Sequence, residues 1–350
     1  MRHYFIYNRH PAQLFVHLIQ KKPRMKSLLI ISLALLKIFN SVSSLRYLYG
    51  PDSAGKAAIV TLTPNEVSAC PVTFPILPIP DLGCTSVTVI KGQLVICGGE
   101  RDGFKSQYCF KLVQDVWEEF PPLPEVRTCA TSVWIKNHTQ WWLTGGKTDE
   151  GSTLSSVIYD TETESWKEGP RMPWPIYGHC LVPLDSDSPI SDDRFMLLSG
   201  YYTLQIIGDT YNTNVYILEN EEWVEQQGEL NYRYKRYATS QTCNRLKNGN
   251  VLLLGGKPDG DNEEIWNAKY GFWSTAQDEM KSPVWIWYPS SALDEDGNLY
   301  VVGGEAHYAD LFGQILKFDS QTWTVFDNVL PYPMSRVSIN LLQDTDDITC

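Results

Sequence analysis

Hydrophobic and polar positions alternate in a repeating phrase along this chain. An apolar tetrad rich in β-forming residues is followed by Gly-Gly or a near relative and, roughly 20 residues later, by a Trp. The copies are Leu94–Cys97 with Gly98–Gly99 and Trp117, Trp141–Thr144 with Gly145–Gly146 and Trp166, and Met196–Ser199 with Gly200 and Trp223. Two more are Val251–Leu254 with Gly255–Gly256 and Trp273, and Tyr300–Val302 with Gly303–Gly304 and Trp323. Strand-like segments such as Val157–Asp160 (VIYD), Val215–Leu218 (VYIL) and Ile315–Asp319 (ILKFD) lie between them. The Gly-to-Gly spacing is about 50 residues, with one longer step into the third copy and one out of it.

This phrase resembles the kelch-repeat family, whose blades carry paired Gly after the second strand, an aromatic residue near the end of the third and a Trp on the fourth. VIYDTETESW (157–166) and ILKFDSQTW (315–323) match the third-to-fourth-strand signature. The resemblance covers residues 82–331 and implies an all-β, kelch-type β-propeller. A four-stranded blade cannot bury both of its faces alone, so it has to be sandwiched between neighbours. Paired Gly let the backbone turn close to the next blade. The Trp and Tyr side chains then fill the wedge between blades.

Five copies leave both ends of the chain over. Leu45–Gly50 (LRYLYG), Ala57–Thr61 and Val67–Thr73 read as second, third and fourth strands of a blade without a first, with Cys70 in the Trp slot. Arg336–Leu342 (RVSINLL) reads as a first strand without a blade, just as Arg127–Ile135 begins the unit after the first copy. Together they predict six blades, one of them closed by N- and C-terminal strands, which removes two exposed edges.

Charge separates the first 44 residues from the rest. They hold seven Lys/Arg and no acid, so residues 45–350 carry 29 − 7 = 22 basic against 41 acidic residues, a net of −19. Such a surface repels phosphate backbones and excludes nucleic acid as a partner; basic proteins and neutral glycans are accommodated more easily. Lys21–Lys26 flanks the apolar run Leu28–Leu36, and Ser41–Val42–Ser43–Ser44 follows as a small-residue cleavage region. Interrupted by Lys37, this run is well short of the ~20 residues of a membrane span. We therefore expect a signal peptide within residues 1–44 and no stable membrane span, with Met25 as an alternative start, followed by the propeller over 45–350. The composition is 43% hydrophobic and 12% aromatic, enough for a large buried core.

All eight Cys follow residue 69, which suits an oxidising compartment. Cys97 and Cys109 fall on adjacent antiparallel strands, within disulfide range. Cys84, Cys129, Cys180 and Cys243 sit on or beside inner strands, either as small buried residues or as bridges, and Cys70 and Cys350 lie near the two ends. Pairings of Cys70 with Cys84 and of Cys350 with the N-terminal blade both remain open. Asn137–His138–Thr139 is a glycosylation sequon in an expected turn.

Catalytic chemistry is hard to find. Past residue 44 only His138, His179 and His307 remain, unpaired at metal-ligand spacing. Galactose oxidase makes copper worth checking in kelch-like propellers, because it uses a Tyr–Cys cofactor with His ligands. Here His179 beside Tyr177 and Cys180 is the nearest match. No G-x-S-x-G elbow occurs, and the carboxylate clusters fall in turns. We expect no catalytic residue, no metal and no cofactor. The expected function is a secreted, non-enzymatic scaffold that binds protein, in extracellular matrix or on a glycan; the alternatives are an oxidase-like propeller enzyme and a lectin-like propeller. Arg127, Arg236 and Arg336 precede first strands, where in related propellers they can face the binding mouth. Together with Tyr232, Tyr234 and Tyr237 they are the partner-contact candidates, since Arg and aromatic residues dominate interface energetics.

Overall fold

The computed structural model describes residues 45–350 except 53, 64–65, 137, 185–193, 205–207, 213, 227–240, 256–263, 270, 276–280, 285, 295, 307–312, 335–336, 343–347 and 349–350. The expected signal segment thus lies outside the described residues. Every regular element described is a strand, and none is a helix.

Six four-stranded antiparallel sheets form a six-bladed β-propeller. In blade 1 the order from the centre outward is Ile339–Leu342, Leu45–Tyr49, Lys56–Leu62 and Val67–Thr73. Blade 2 runs Ser86–Ile90, Gln93–Cys97, Cys109–Val113, Val116–Phe120, and blade 3 runs Thr131–Ile135, Gln140–Thr144, Ser156–Asp160, Ser165–Glu168. Blade 4 is Cys180–Pro183, Phe195–Leu198, Tyr216–Glu219, Glu222–Glu225. Blade 5 is Gln241–Arg245, Val251–Gly255, Glu264–Asn267, Phe272–Thr275, and blade 6 is Ser290–Leu293, Leu299–Val302, Ile315–Phe318, Trp323–Phe326.

Blade 1 closes the ring as the two leftover fragments predict. Leu45–Tyr49 pairs with Ile339–Leu342 in the register Arg46 to Leu342 through Tyr49 to Ile339. The same N-terminal strand also grips blade 6. Tyr47 and Tyr49, two residues apart and therefore on one face, face that blade: the Tyr47 hydroxyl donates to Leu293 O at 2.6 Å, and Tyr49 packs with Tyr300 and Val302 while its hydroxyl donates to Met334 O, in blade 1's own lead-in, at 2.5 Å. Leu48, on the other face, packs with Val87, Leu94 and Ile96 of blade 2.

The buried residues form six principal clusters, each lying between two successive blades. The fourth-strand Trp of every repeat copy is the wedge at the junction with the preceding blade: Trp117 with blade 1, Trp166 with blade 2, Trp223 with blade 3, Trp273 with blade 4 and Trp323 with blade 5. In two of them the indole N–H reaches the preceding blade's exit carbonyl, Trp117 to Pro75 O and Trp166 to Pro121 O, both at 2.8 Å. Burying such a side chain contributes about 2–3 kcal/mol, so the wedges are a large part of what holds neighbours together.

Covalent staples add to the packing. Cys97 and Cys109 are directly opposed and bonded within blade 2, as expected. The other two pairs cross seams: Cys84–Cys129 ties the lead-ins of blades 2 and 3, and Cys180–Cys243 ties the inner strands of blades 4 and 5. Cys84 therefore bonds Cys129 and not Cys70, because the inner ends of adjacent blades converge to a Cα separation of 4.6 Å. Cys70 is also disulfide-bonded. Closing loops of 45 and 63 residues is worth about 4 kcal/mol each in the chain-entropy description.

The outermost strands of blades 2, 3 and 4 present exposed carboxylates at their rims: Glu118 and Glu119, Glu168, and Glu222 and Glu225. Charge on an edge strand discourages pairing with another chain.

Truncation after Met334 removes the first strand of blade 1 and with it the buried Leu342. The truncated chain should lose about 3–6 kcal/mol, seen as a fall in the urea midpoint well beyond that of an ordinary tail deletion. A midpoint equal to the parent's would contradict this closure.

Candidate binding face

Antiparallel order puts the loops after second and fourth strands on one face of the disc and the short hairpins after first and third strands on the other. The loop face is anchored at the paired Gly. Gly98 and Gly99 have φ of 69° and 97°, in the left-handed region, and a Cβ on Gly98 would collide with the carbonyl oxygen of Arg127. Blade 4, with only one Gly, keeps the same shape: Ser199 takes φ 56° ahead of Gly200 at 98°. A serine is thus held in a conformation that glycine adopts freely.

Three of the second Gly donate to the lead-in of the next blade: Gly99 to Arg127 O at 2.9 Å, Gly146 to Ile176 O at 2.7 Å and Gly304 to Met334 O at 2.8 Å. Arg127, Ile176 and Met334 therefore occupy one structural slot, and all three are buried. Arg127 is the departure. Its side chain is 1% exposed and lies in a pocket of carbonyls and hydroxyls. It donates to Gly145 O, to Ser155 O at 3.1 Å, to Ser155 Oγ at 2.6 Å and to Glu125 Oε1 at 2.6 Å. Burial pulls its pKa below the ordinary guanidinium value, and the neighbouring Glu125 carboxylate opposes that shift. Arg127 knits blade 3 to its own lead-in; the structure places it inside the protein.

The remaining partner-contact candidates, Tyr232, Tyr234, Arg236, Tyr237 and Arg336, lie outside the described residues, as does the sequon Asn137. His179 and Tyr177, which flank the nearest match to a copper site, are buried separately. His179 Nε2 meets Thr144 Oγ1 at 2.7 Å, and Tyr177 stacks on Tyr201 with ring centroids 5.2 Å apart. Cys180 is committed to its bond with Cys243. Among the described residues no group of three His, Cys, Asp or Glu side chains could hold a metal ion.

Sequence reading assigns aromatics to packing and passes over those that the structure leaves in solvent. Ile76, Phe104, Tyr108 and Trp174 are 67%, 54%, 52% and 46% exposed, and all four stand on loop-face segments. Phe104 tips a small hairpin, Glu100–Arg101 against Phe104–Lys105, that projects from blade 2. Beside blade 3 a groove of about 840 Å³ is lined by Glu125, Asp149, Glu150 and Glu168 against Arg171, with hydroxyls from Ser152 and Thr153 between them. The available signal was position: these four side chains, three of them aromatic, fall in the segments between second and third or fourth and first strands, outside the blade phrase.

No protein-family model matches the chain, and no curated protein matches it in sequence. Its fold is similar to a solved structure described as that of YjhT, with a TM-score of 0.58 and 14% identity, over 80% of this chain and 94% of that one. At this identity the likeness shows the propeller fold alone.

Two measurements follow from the buried groups. Arg127→Ala strands buried carbonyls and should cost about 2–4 kcal/mol. Arg127→Met should recover part of that, since Met334 fills the equivalent slot; urea denaturation of both variants checks the order. His179 is held neutral by burial, with a pKa lowered to about 3. The unfolded chain takes up its proton near pH 6.5 and the folded one does not, so this contribution to stability is present above pH 6.5. It is lost as pH falls towards 3, at about 1.4 kcal/mol per pH unit. Stability measured between pH 5 and 6.5 should therefore decline less steeply in His179→Gln, by a slope difference that grows from about half a proton at pH 6.5 towards one proton at pH 5.

Proposed function

We propose that this protein is a secreted binding scaffold of the kelch type, engaging a protein partner through its loop face. The observation that carries the reading is the set of exposed aromatic and apolar side chains Phe104, Tyr108, Trp174 and Ile76 on that face, beside an acidic groove. Aromatic side chains give large contact area at low entropic cost and dominate interface energetics. Loops held on a ring of wedged blades lose little further freedom when a partner docks.

The disulfides support an oxidising compartment, and the basic, then apolar N-terminal segment supports export to it. The partner's contact segment is basic: with Glu125 paired to Arg127 and Asp149 to Lys105, the groove still sets Glu150 and Glu168 against Arg171, and the chain beyond residue 44 is strongly acidic.

The test uses the chain from Leu45, immobilised and exposed to secretory fluid, followed by titration with the purified captured protein. Phe104→Ala with Trp174→Ala should weaken that complex at least tenfold, about 1.4 kcal/mol or more, while the melting temperature stays at the parent's. Glu150→Lys with Glu168→Lys should weaken it as well and flatten its salt dependence. Unchanged affinity in both double variants would rule out the loop face.

A further inference from the structure

We propose that the Cys84–Cys129 disulfide is a thiol-exchange site, at which an alkyl thiolate bonds reversibly to Cys84 and Cys129 is the leaving group. The site lies on the loop face, but it does not rest on the partner reading given above, because a small thiol is enough to engage it.

Exposure sets this bond apart from the other two. Among the described residues Cys84 is the one exposed cysteine, and its partner Cys129 is half-buried. Cys97 and Cys109 are only 1% and 2% exposed. Cys180 and Cys243 are half-buried and pack against the cluster between blades 4 and 5. Exchange needs a thiolate to reach one sulfur of the bond, so access decides which disulfide reacts and at which end. That makes Cys84 Sγ the electrophile.

The surroundings of Cys129 suit a leaving thiolate. Thr128 Oγ1 donates to Cys129 Sγ at 3.7 Å, and such a bond strengthens when the sulfur becomes an anion. Cys129 also packs against the stacked rings of Tyr177 and Tyr201. Lys147 Nζ stands 4.0 Å from the centre of the Tyr177 ring, and its backbone is paired in both directions with that of Thr128. A hydroxyl donor and a nearby cation both lower the proton affinity of a thiolate, and a better leaving group departs faster.

The bond is not what shapes the backbone here. Cys84 and Cys129 both take φ 53°, in the left-handed region, and Gly178 takes φ 58° at the same place ahead of blade 4. Cys129 N donates to Cys84 O at 3.0 Å, and Gly178 N donates to Cys129 O at 2.9 Å. The arrangement is thus repeated across the next seam, where glycine stands in place of the second cysteine. Blades 2 and 3 keep other fastenings as well. Trp134 Nε1 donates to Thr88 Oγ1 at 2.8 Å, and Trp166 stays wedged against blade 2. Side-chain bonds of the same kind hold three further seams, Thr131 to His179 O, Asn244 to Ser291 Oγ and Ser290 to Val337 O. Cys180–Cys243 holds a fourth. The ring therefore stays closed when Cys84–Cys129 opens.

In the exchange the incoming thiolate sulfur forms a bond to Cys84 Sγ as the Cys84–Cys129 bond breaks. The electron pair of the broken bond stays on Cys129 Sγ, which is reduced while the incoming sulfur is oxidised into the mixed disulfide. Attack by Cys129 on Cys84 reverses the step and expels the thiolate, so no further oxidant or reductant is needed.

The chain from Leu45, treated with limiting glutathione, quenched with N-ethylmaleimide and mapped by peptide mass spectrometry, tests this. Glutathione should appear on Cys84 and the maleimide on Cys129, at least tenfold faster than either label enters Cys97, Cys109, Cys180 or Cys243. The far-ultraviolet circular dichroism of the opened protein should match the parent's. Thr128→Val should slow the exchange at least threefold while melting like the parent. Cys84→Ser with Cys129→Ser should lose the fast uptake and still unfold in a single transition. Phe104→Ala with Trp174→Ala should leave glutathione uptake unchanged, which separates failure of the loop-face partner reading from failure of this one. Two short peptides with one central Cys, flanked by Lys or by Glu, identify the source of the thiol, each rate being taken relative to that thiol's rate with oxidised glutathione. Exchange of the Lys-flanked peptide at least tenfold faster than that of glutathione identifies a cysteine of a protein partner; comparable rates identify a small thiol. Opening of Cys84–Cys129 no faster than the other two bonds, glutathione on Cys129 instead of Cys84, or loss of the fold on selective opening would overturn the proposal.

Discussion

The pairing of Leu45–Tyr49 with Ile339–Leu342 is the constraint on which the rest of this structure depends. A blade has two apolar faces and cannot bury either alone, so each of the six buried clusters exists only while its two blades stay side by side. In an open row the two end blades would expose one face each. The strand that closes the row also grips both neighbours, through Tyr47 and Tyr49 towards blade 6 and Leu48 towards blade 2. The same few residues thus complete a sheet and two interfaces at once.

Within the closed ring, stability and presentation are divided between different parts of each repeat. Second and third strands are almost wholly buried, fourth strands supply the Trp wedge, and the paired Gly allow one blade's lead-in to pass against the previous blade. What remains free is the loop set on one face and the hairpin set on the other. Rigidity close to the channel comes from side-chain bonds and disulfides across five seams, so both faces rest on a frame that moves little. That frame suits recognition by fixed groups, whichever face is engaged.

Much of this was legible in the sequence because the repeat is a packing rule. Trp117, Trp166, Trp223, Trp273 and Trp323 had to sit in equivalent wedges once their spacing to the Gly pairs was seen, and the complementary fragments at the two ends required a shared blade. The strand-to-strand bond of Cys97 and Cys109 followed from local pairing. The bonds of Cys84 with Cys129 and Cys180 with Cys243 did not, since they depend on how closely inner strands of different blades converge. Arg127 was legible as an Arg ahead of a first strand, like Arg336, but not as buried: the slot it shares with Ile176 and Met334 is defined by backbone hydrogen bonds from Gly99, Gly146 and Gly304, which no single-sequence pattern displays. The exposed Phe104, Tyr108 and Trp174 were hidden by the strength of the aromatic packing rule.

The carboxylates along the outer strands of blades 2, 3 and 4 have a consequence for how copies of this molecule can be arranged. Two such discs approaching rim to rim along that arc would bring like charges together just where bare backbone would otherwise invite a continuous sheet. Lateral pairing is disfavoured along that arc, and the two flat surfaces are left as the directions in which copies can approach without it.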